Sequence, residues 1–187
     1  MKIVKITTVE QDCDFSGLTL LSKEEYVKRK DRIKPIESWW WLSSPGGISF
    51  RAASAYGGGN VNISGGTVNY SNNAVRPALR IRNLKSLIVG DEFVFNDKRW
   101  TVISEKYALC DEEFCRMAFR KDWRANDAND YEQSDIKRYL DAEWKRIKEA
   151  IDRIDPNGNY EPSNCSWVDM VAQNNNKAKM DKECEVK

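Results

Sequence analysis

The sequence contains no histidine. That removes Ser-His-Asp and Cys-His nucleophilic centres, the usual general base near neutral pH, and the commonest protein ligand of zinc. Any catalysis would have to run on Asp, Glu, Lys, Tyr or Cys side chains, and no catalytic centre is recognisable among them. Cysteine occurs at five scattered positions, Cys13, Cys110, Cys115, Cys165 and Cys184. The number is odd and no two stand as CxxC, so free thiols are expected. Neither a metal nor a cofactor is expected. No apolar run approaches the roughly 18 residues that a membrane span needs. The opening Met1-Lys2-Ile3-Val4-Lys5 turns polar too soon for a signal peptide. A membrane is therefore not expected as a partner. Net charge is nearly absent as well: 30 basic against 29 acidic residues in 187 give a formal +1. No global field draws in nucleic acid, which is not expected as a partner either.

What is present reads as one globular α+β domain. Residues 2–10 alternate as a first strand, at a sheet edge, and Gly17–Leu21 reads as a second. Ser22-Lys23-Glu24-Glu25 is a capping box, with the Ser22 hydroxyl accepting from the Glu25 amide and Glu25 reaching back. A helix over 23–32 follows, with Tyr26, Val27 and Ile33 on its inner face. Three consecutive tryptophans then form part of a strand. Alternation sends Trp39 and Trp41 to one side and Trp40 to the other, so the strand is covered on both faces or offers one aromatic side to a partner. Trp40 and Trp41 are assigned to the core. Trp39 is the one suited to stack on a ligand ring or sugar. Pro45, Gly46 and Gly47 mark a turn.

Residues 48–75 differ from the rest. Seven of the chain's ten glycines fall between Gly46 and Gly66, and Arg51 is the only charge between Glu37 and Arg76. Ile48–Phe50, Val61–Ile63 and Thr67–Tyr70 read as short β pieces joined by tight turns. Tyr56, Asn60, Asn62, Tyr70, Asn72 and Asn73, with Trp39 and Ser43 beside them, have the composition of an antibody-like recognition surface. Tyrosine supplies rigid contact area there, and Ser, Gly and Asn supply adaptable hydrogen bonds. Val75–Ile81 reads as a strand whose start is marked by Pro77. Arg76 is expected to pair with a carboxylate, and Arg80 and Arg82 to face solvent.

Glu92–Phe95, Asn96-Asp97 and Arg99–Ile103 form a hairpin pattern, and Tyr107–Cys110 suggests a third strand. Asp122, Asp127, Asp130 and Glu132 lie in a polar loop that lacks the central glycine of a calcium loop. Ser134 caps a helix reaching about Ile154, with Ile136, Tyr139, Leu140, Trp144, Ile147, Ile151 and Ile154 on its apolar stripe. Its other face is basic, carrying Lys137, Arg138, Lys145, Arg146 and Lys148. The expected organisation is a single domain over 1–155, with a tryptophan-bearing half at 18–84 and a hairpin-plus-helix half at 90–154. A polar extension follows at 156–187.

The run Trp40-Trp41-Leu42-Ser43-Ser44-Pro45-Gly46, followed by Ala74-Val75-Arg76-Pro77-Ala78-Leu79, resembles the "WWLRSPG … GVRPAL" signature of a bacterial and phage family of domains of unknown function, numbered 6273. Leu20-Leu21-Ser22-Lys23-Glu24-Glu25-Tyr26 is similar to that family's "LLSxEEY". Gly90-Asp91 through Ile103, and Asn129 through Ile136, resemble elements that precede the tryptophan motif in the family and here follow it, as in a circular permutation. Ser43 stands where the family has arginine, and Ala74 where it has glycine. The resemblance implies a C-type-lectin-like fold of the formylglycine-generating-enzyme class. Trp40, Trp41, Pro45, Gly46, Arg76 and Pro77 then serve as structural motif residues. It implies a binding role more than a reaction: a phage or prophage protein recognising a protein partner, host or phage, or a glycan. The expected location is the host cytoplasm, as an inhibitor of a defence protein, or the virion, as a receptor-binding or decoration protein.

Overall fold

The computed structural model describes residues 6–8, 14–57, 59–84, 87–149, 151–153 and 165–167. In chain order the elements are β1 (Ile6–Thr8), β2 (Asp14–Thr19), α1 (Lys23–Arg29), β3 (Trp39–Pro45), β4 (Arg51–Tyr56), β5 (Val61–Thr67), β6 (Ala74–Val75) and β7 (Ala78–Asn83). There follow β8 (Glu92–Phe95), β9 (Lys98–Ser104), β10 (Tyr107–Cys110), β11 (Cys115–Arg116), α2 (Asp135–Glu149), β12 (Ile151–Arg153) and β13 (Cys165–Trp167). The described residues thus form a mixed α+β structure, mostly strands in two sheets with two helices. The larger sheet runs β1-β8-β9-β10-β7-β2 and the smaller β11-β6-β3-β4-β5, while β12 and β13 form a separate pair. β1 lies at the edge expected of it, parallel to β8.

Pro77 explains how the chain passes between the sheets. The expected single strand over 75–81 is two strands, β6 in the small sheet and β7 in the large one, separated by Arg76 and Pro77. Proline has no N–H to give a ladder, so pairing stops there and resumes with a new partner. Three other expectations are corrected. Ile48–Phe50 is a turn, and the strand begins at Arg51. Thr67–Tyr70 is the end of β5 and a turn. The second helix stops at Glu149, and Ile151–Arg153 is extended and paired with Cys165–Trp167; Ile154 and most of the 156–187 extension lie outside the described residues.

The cores follow from alternation. On β3, Trp40 and Leu42 enter one apolar cluster with Tyr26, Ala53, Ala55, Ala74, Ile103 and Leu109. Trp41 points the other way, into a cluster with Val68, Leu79, Phe93, Trp100, Phe119, Ile136 and Leu140. The strand is therefore covered on both faces. β4 presents Ala55 opposite Trp40 and Ser54 opposite Trp41. Small residues facing indoles let both rings lie against the sheet without forcing strained rotamers. α1 begins as expected, the Glu25 amide donating to Ser22 Oγ at 3.1 Å. The reciprocal half of the box is replaced, because the Glu25 carboxylate pairs with Arg29 one turn later. Val27 is 51% exposed, so Tyr26 alone anchors this helix.

α2 starts at Ser134, whose Oγ accepts from the Lys137 amide at 3.0 Å. Ile136, Leu140 and Ile147 are buried, and Tyr139 and Trp144 pack at the margin. The basic face is neutralised within the helix: Arg138 pairs with Asp135, Lys137 with Asp141 and Arg146 with Glu143. Such pairs are solvated and weak, but they leave little net charge with which to hold a polyanion. Asp135 accepts from the Lys121 amide at 2.7 Å. Burial alone would raise its carboxyl, but this bond and Arg138 outweigh it and hold the group below its ordinary value.

The β8–β9 hairpin turns on Asn96 and Asp97, at φ of 50° and 57°. Both are left-handed, as a two-residue type I′ turn demands. Asparagine tolerates this region, whereas aspartate at the second position carries strain that glycine does not. Asp97→Gly is expected to raise stability by roughly 0.5 kcal/mol, the relieved strain being partly offset by unfolded-chain entropy. An unchanged or lower midpoint in urea would contradict this.

Candidate functional site

Low charge and aromatics converge where β3 begins. Trp39 is the first residue of β3 and stands directly opposite Tyr56, the last of β4. Their rings meet with centroids 5.4 Å apart and planes inclined at 44°. Trp39 remains 40% exposed, while Trp40 and Trp41 are fully buried. The first indole lies beyond the core that its two neighbours fill. Tyr56 is held from behind. Its amide donates to the Asn60 carbonyl at 2.9 Å, and its carbonyl accepts from the Tyr26 hydroxyl at 3.4 Å.

A second wall comes from the loop between β5 and β6. Val68 is fully buried and plugs the loop into the core; its amide donates to the Phe50 carbonyl at 3.0 Å. Beyond this anchor the chain turns out, leaving Tyr70 50% exposed. The Asn72 amide group donates to the Tyr70 hydroxyl at 3.4 Å. Asn73 is nearly buried, and its carbonyl accepts from the Met117 amide at 3.3 Å.

Together Trp39, Tyr56, Tyr70, Asn72 and Asn73 line one cleft of about 330 Å³, completed by Glu37, Ser38 and Arg116. The Arg116 guanidinium is clamped by Glu113, Nε to Oε1 at 3.1 Å and Nη2 to Oε2 at 3.2 Å. That contact pushes the guanidinium above its ordinary value. Glu113 also accepts from the Ser38 hydroxyl at 3.2 Å, tying β11 to the approach of β3. β11 reaches the cleft because it pairs with β6, Arg116 opposite Ala74.

Five of the eight expected ligand residues are thus brought together, and three are not. Asn62 turns its Oδ1 to the Gly65 amide at 3.0 Å, where Gly65 adopts φ +83°; it shapes a bulge in β5. Asn60 is exposed on the β4–β5 turn and outside the cleft lining. Ser43 lies four residues along β3 from Trp39, roughly 13 Å at strand rise, with its amide donating to the Leu21 carbonyl at 2.9 Å. Glu37, Ser38, Arg116 and Glu113 escaped the sequence reading. An Asp-Glu-Glu…Arg run carries no local sign that it folds against a tryptophan some 75 positions earlier.

Of the motif residues, Arg76 departs from expectation. It is 1% exposed and its Nη1 and Nη2 have no hydrogen-bond partner. Its Nε donates to the Cys110 carbonyl at 2.7 Å, and the guanidinium sits 5.4 Å from the Trp40 ring centre. Burial pushes it down to about 10, opposed by the field of Asp111. It remains a cation at neutral pH, held by an indole face and a nearby carboxylate instead of a direct ion pair. Trp41 Nε1 donates to the Met117 carbonyl at 2.9 Å. Pro45 ends β3 in solvent. Gly46 packs so closely that a Cβ would stand 2.7 Å from the Ser64 carbonyl.

Of the five thiols, Cys110 and Cys115 are described, and both are poorly placed for nucleophilic chemistry. Burial pushes Cys110 up to about 12, and raises Cys115 as well; both stay protonated at neutral pH. Among the described residues no group of three or more Cys, Asp or Glu side chains converges as a metal site. The acidic loop is used internally. Asp127 pairs with Arg120, Asp130 accepts from the Glu132 amide, and Asn129 donates to the Ile48 carbonyl. No helix among the described residues is long and apolar enough to cross a membrane.

Fold and site together define a two-sheet α+β protein with an aromatic, amide-lined cleft at the start of its tryptophan strand. Comparison with protein-family models, curated proteins and solved structures returned no match.

Proposed function

We propose that the chain is a non-catalytic binding protein whose recognition surface is the cleft of Trp39, Tyr56, Tyr70, Asn72 and Asn73. The observation that carries this reading is the convergence of three aromatics and two carboxamides, drawn from β3, β4 and the β5–β6 loop, on one solvent-open cleft. Recognition surfaces built of Tyr, Trp and Asn work by rigid apolar area beside adaptable hydrogen bonds. At the two described thiols, Cys110 and Cys115, the raised values support binding over thiol chemistry. The C-type-lectin-like arrangement belongs to the same proposal, on the strength of the Trp40–Gly46 and Val75–Leu79 motifs. So do the phage or prophage origin and the choice between a cytoplasmic inhibitor of a host protein and a virion component. The partner is a protein surface or a glycan.

The test uses wild-type chain, Tyr70→Ala and Asn72→Ala, each immobilised against host lysate and purified virions. Both side chains are exposed, so melting temperatures should shift by no more than about 2 °C. A stoichiometric partner held by wild type should be lost about tenfold or more in Tyr70→Ala, and less in Asn72→Ala. If both variants hold it as wild type does, the cleft is not the recognition surface.

A further inference from the structure

We infer that the cleft is a saccharide site: it takes one uncharged pyranose ring, its C–H face on Trp39 and Tyr56 and its hydroxyls toward Asn72, Asn73 and Glu37. The inference rests on the recognition reading above and narrows it to a ligand class.

Size comes first. A cleft of about 330 Å³ lies at the small end of ligand sites and suits a single ring. The rings set the next limit. Trp39 and Tyr56 touch, centroids 5.4 Å apart and inclined at 44°. A planar base held between two aromatic faces needs them parallel and about 7 Å apart, two van der Waals contacts. This pair makes a bent platform, not a slot.

Charge and hydrogen-bonding capacity remove two further classes. Among the described lining residues the only cation, Arg116, has Nε and Nη2 committed to Glu113. A phosphate or carboxylate therefore meets no unpaired cation and two carboxylates nearby, Glu37 and Glu113. A quaternary or primary ammonium would be drawn by the aromatic faces and Glu37, but the first has no hydrogen-bonding group and the second only donates, so either leaves the N–H groups of Asn72 and Asn73 without an acceptor. What remains is an apolar face, two carboxamides that each donate and accept, and one acceptor carboxylate. A neutral sugar divides its surface in the same way, into a C–H face and hydroxyls that each donate and accept. A protein partner would spread over roughly 800 Å². Among the described residues the other large exposed apolar side chains, Val27, Ile48, Ile63, Ile88, Val89 and Trp123, do not continue the cleft lining.

The full chain and Trp39→Ala are titrated with the methyl glycosides of glucose, galactose, mannose and N-acetylglucosamine, and in parallel with methyl glucuronide, uridine monophosphate and tetramethylammonium. Saturation-transfer NMR and tryptophan fluorescence report binding. At least one neutral glycoside should saturate with a Kd on the order of millimolar, as a ligand of about a dozen heavy atoms allows. Trp39→Ala should weaken it about tenfold or more while lowering the melting temperature by no more than about 4 °C, and the charged probes should not displace it. A charged probe seated on Trp39, or glycoside binding that Trp39→Ala leaves intact, overturns the assignment. So does the absence of any glycoside binding. If in that last case Tyr70→Ala still releases a partner from lysate, the saccharide assignment alone has failed and the recognition surface stands.

Discussion

Trp40→Ala is expected to lower the free energy of unfolding by about 4–5 kcal/mol, the top of the range for removing a buried indole. Trp40 is fully buried. Its ring meets Tyr26 edge-on at 5.4 Å and carries the Arg76 guanidinium on one face at 5.4 Å. Truncation opens a cavity and removes the favourable surface beneath a cation that already has two unpartnered nitrogens. Leaving a buried charge less compensated costs more than losing the same area of aliphatic contact. Against a typical total of 5–15 kcal/mol, this removes from about a third to nearly all of the stability. Trp40→Phe keeps a ring face under Arg76 and should cost less, about 1–2 kcal/mol. Trp39→Ala, at an exposed position, should cost under about 1 kcal/mol. Urea titration of the three variants measures the series; a Trp40→Ala cost near that of Trp39→Ala would refute the core assignment.

The same three tryptophans show what the sequence could reveal. Alternation separates Trp40 from Trp41, and the two-sided burial follows directly. It cannot tell Trp39 from Trp41, which share a side. That depends on where the strand leaves the core, which is set by Phe119 and Met117 packing from far along the chain. Local signals with a backbone mechanism were legible: the Ser22 and Ser134 caps, the Asn96-Asp97 turn, and the amphipathic stripe of α2 up to Ile147. β4 was not, because Ala52-Ala53-Ser54-Ala55 has neither alternation nor β-branched residues. Its strand character comes from neighbours that need small partners. The α2 stripe continues in pattern through Ile151 and Ile154, yet the helix ends at Glu149, since pairing with Cys165–Trp167 is a non-local contact. At the site, composition singled out the uncharged stretch and its Tyr and Asn residues. Only the fold could discard Ser43, Asn60 and Asn62 and bring in Glu37, Ser38 and Arg116.

Gly57→Ala should damage the fold and the cleft together. A Cβ on Gly57 would stand 1.9 Å from the Ile36 carbonyl oxygen, 2.7 Å from its amide nitrogen and 2.8 Å from its carbonyl carbon. Every one of these is backbone, so no flexible side chain can yield. The 33–38 segment has to move, at a cost of about 3 kcal/mol or more. That segment leads directly into Glu37, Ser38 and Trp39, and Gly57 itself follows Tyr56, so the displacement pulls apart the Trp39–Tyr56 pair that floors the cleft. The variant should therefore lose ligand affinity under conditions where it is still folded, which a merely unstable scaffold does not do. Gly47→Ala provides the contrast: its Cβ would meet only ordinary contacts at 3.8 Å, and its effect should stay within about 0.5 kcal/mol with binding intact. Denaturation midpoints, read beside partner or glycoside affinity at low temperature, separate the two effects. A Gly57→Ala chain that binds as wild type while melting early would show that residues 36–39 are not what holds the cleft in shape.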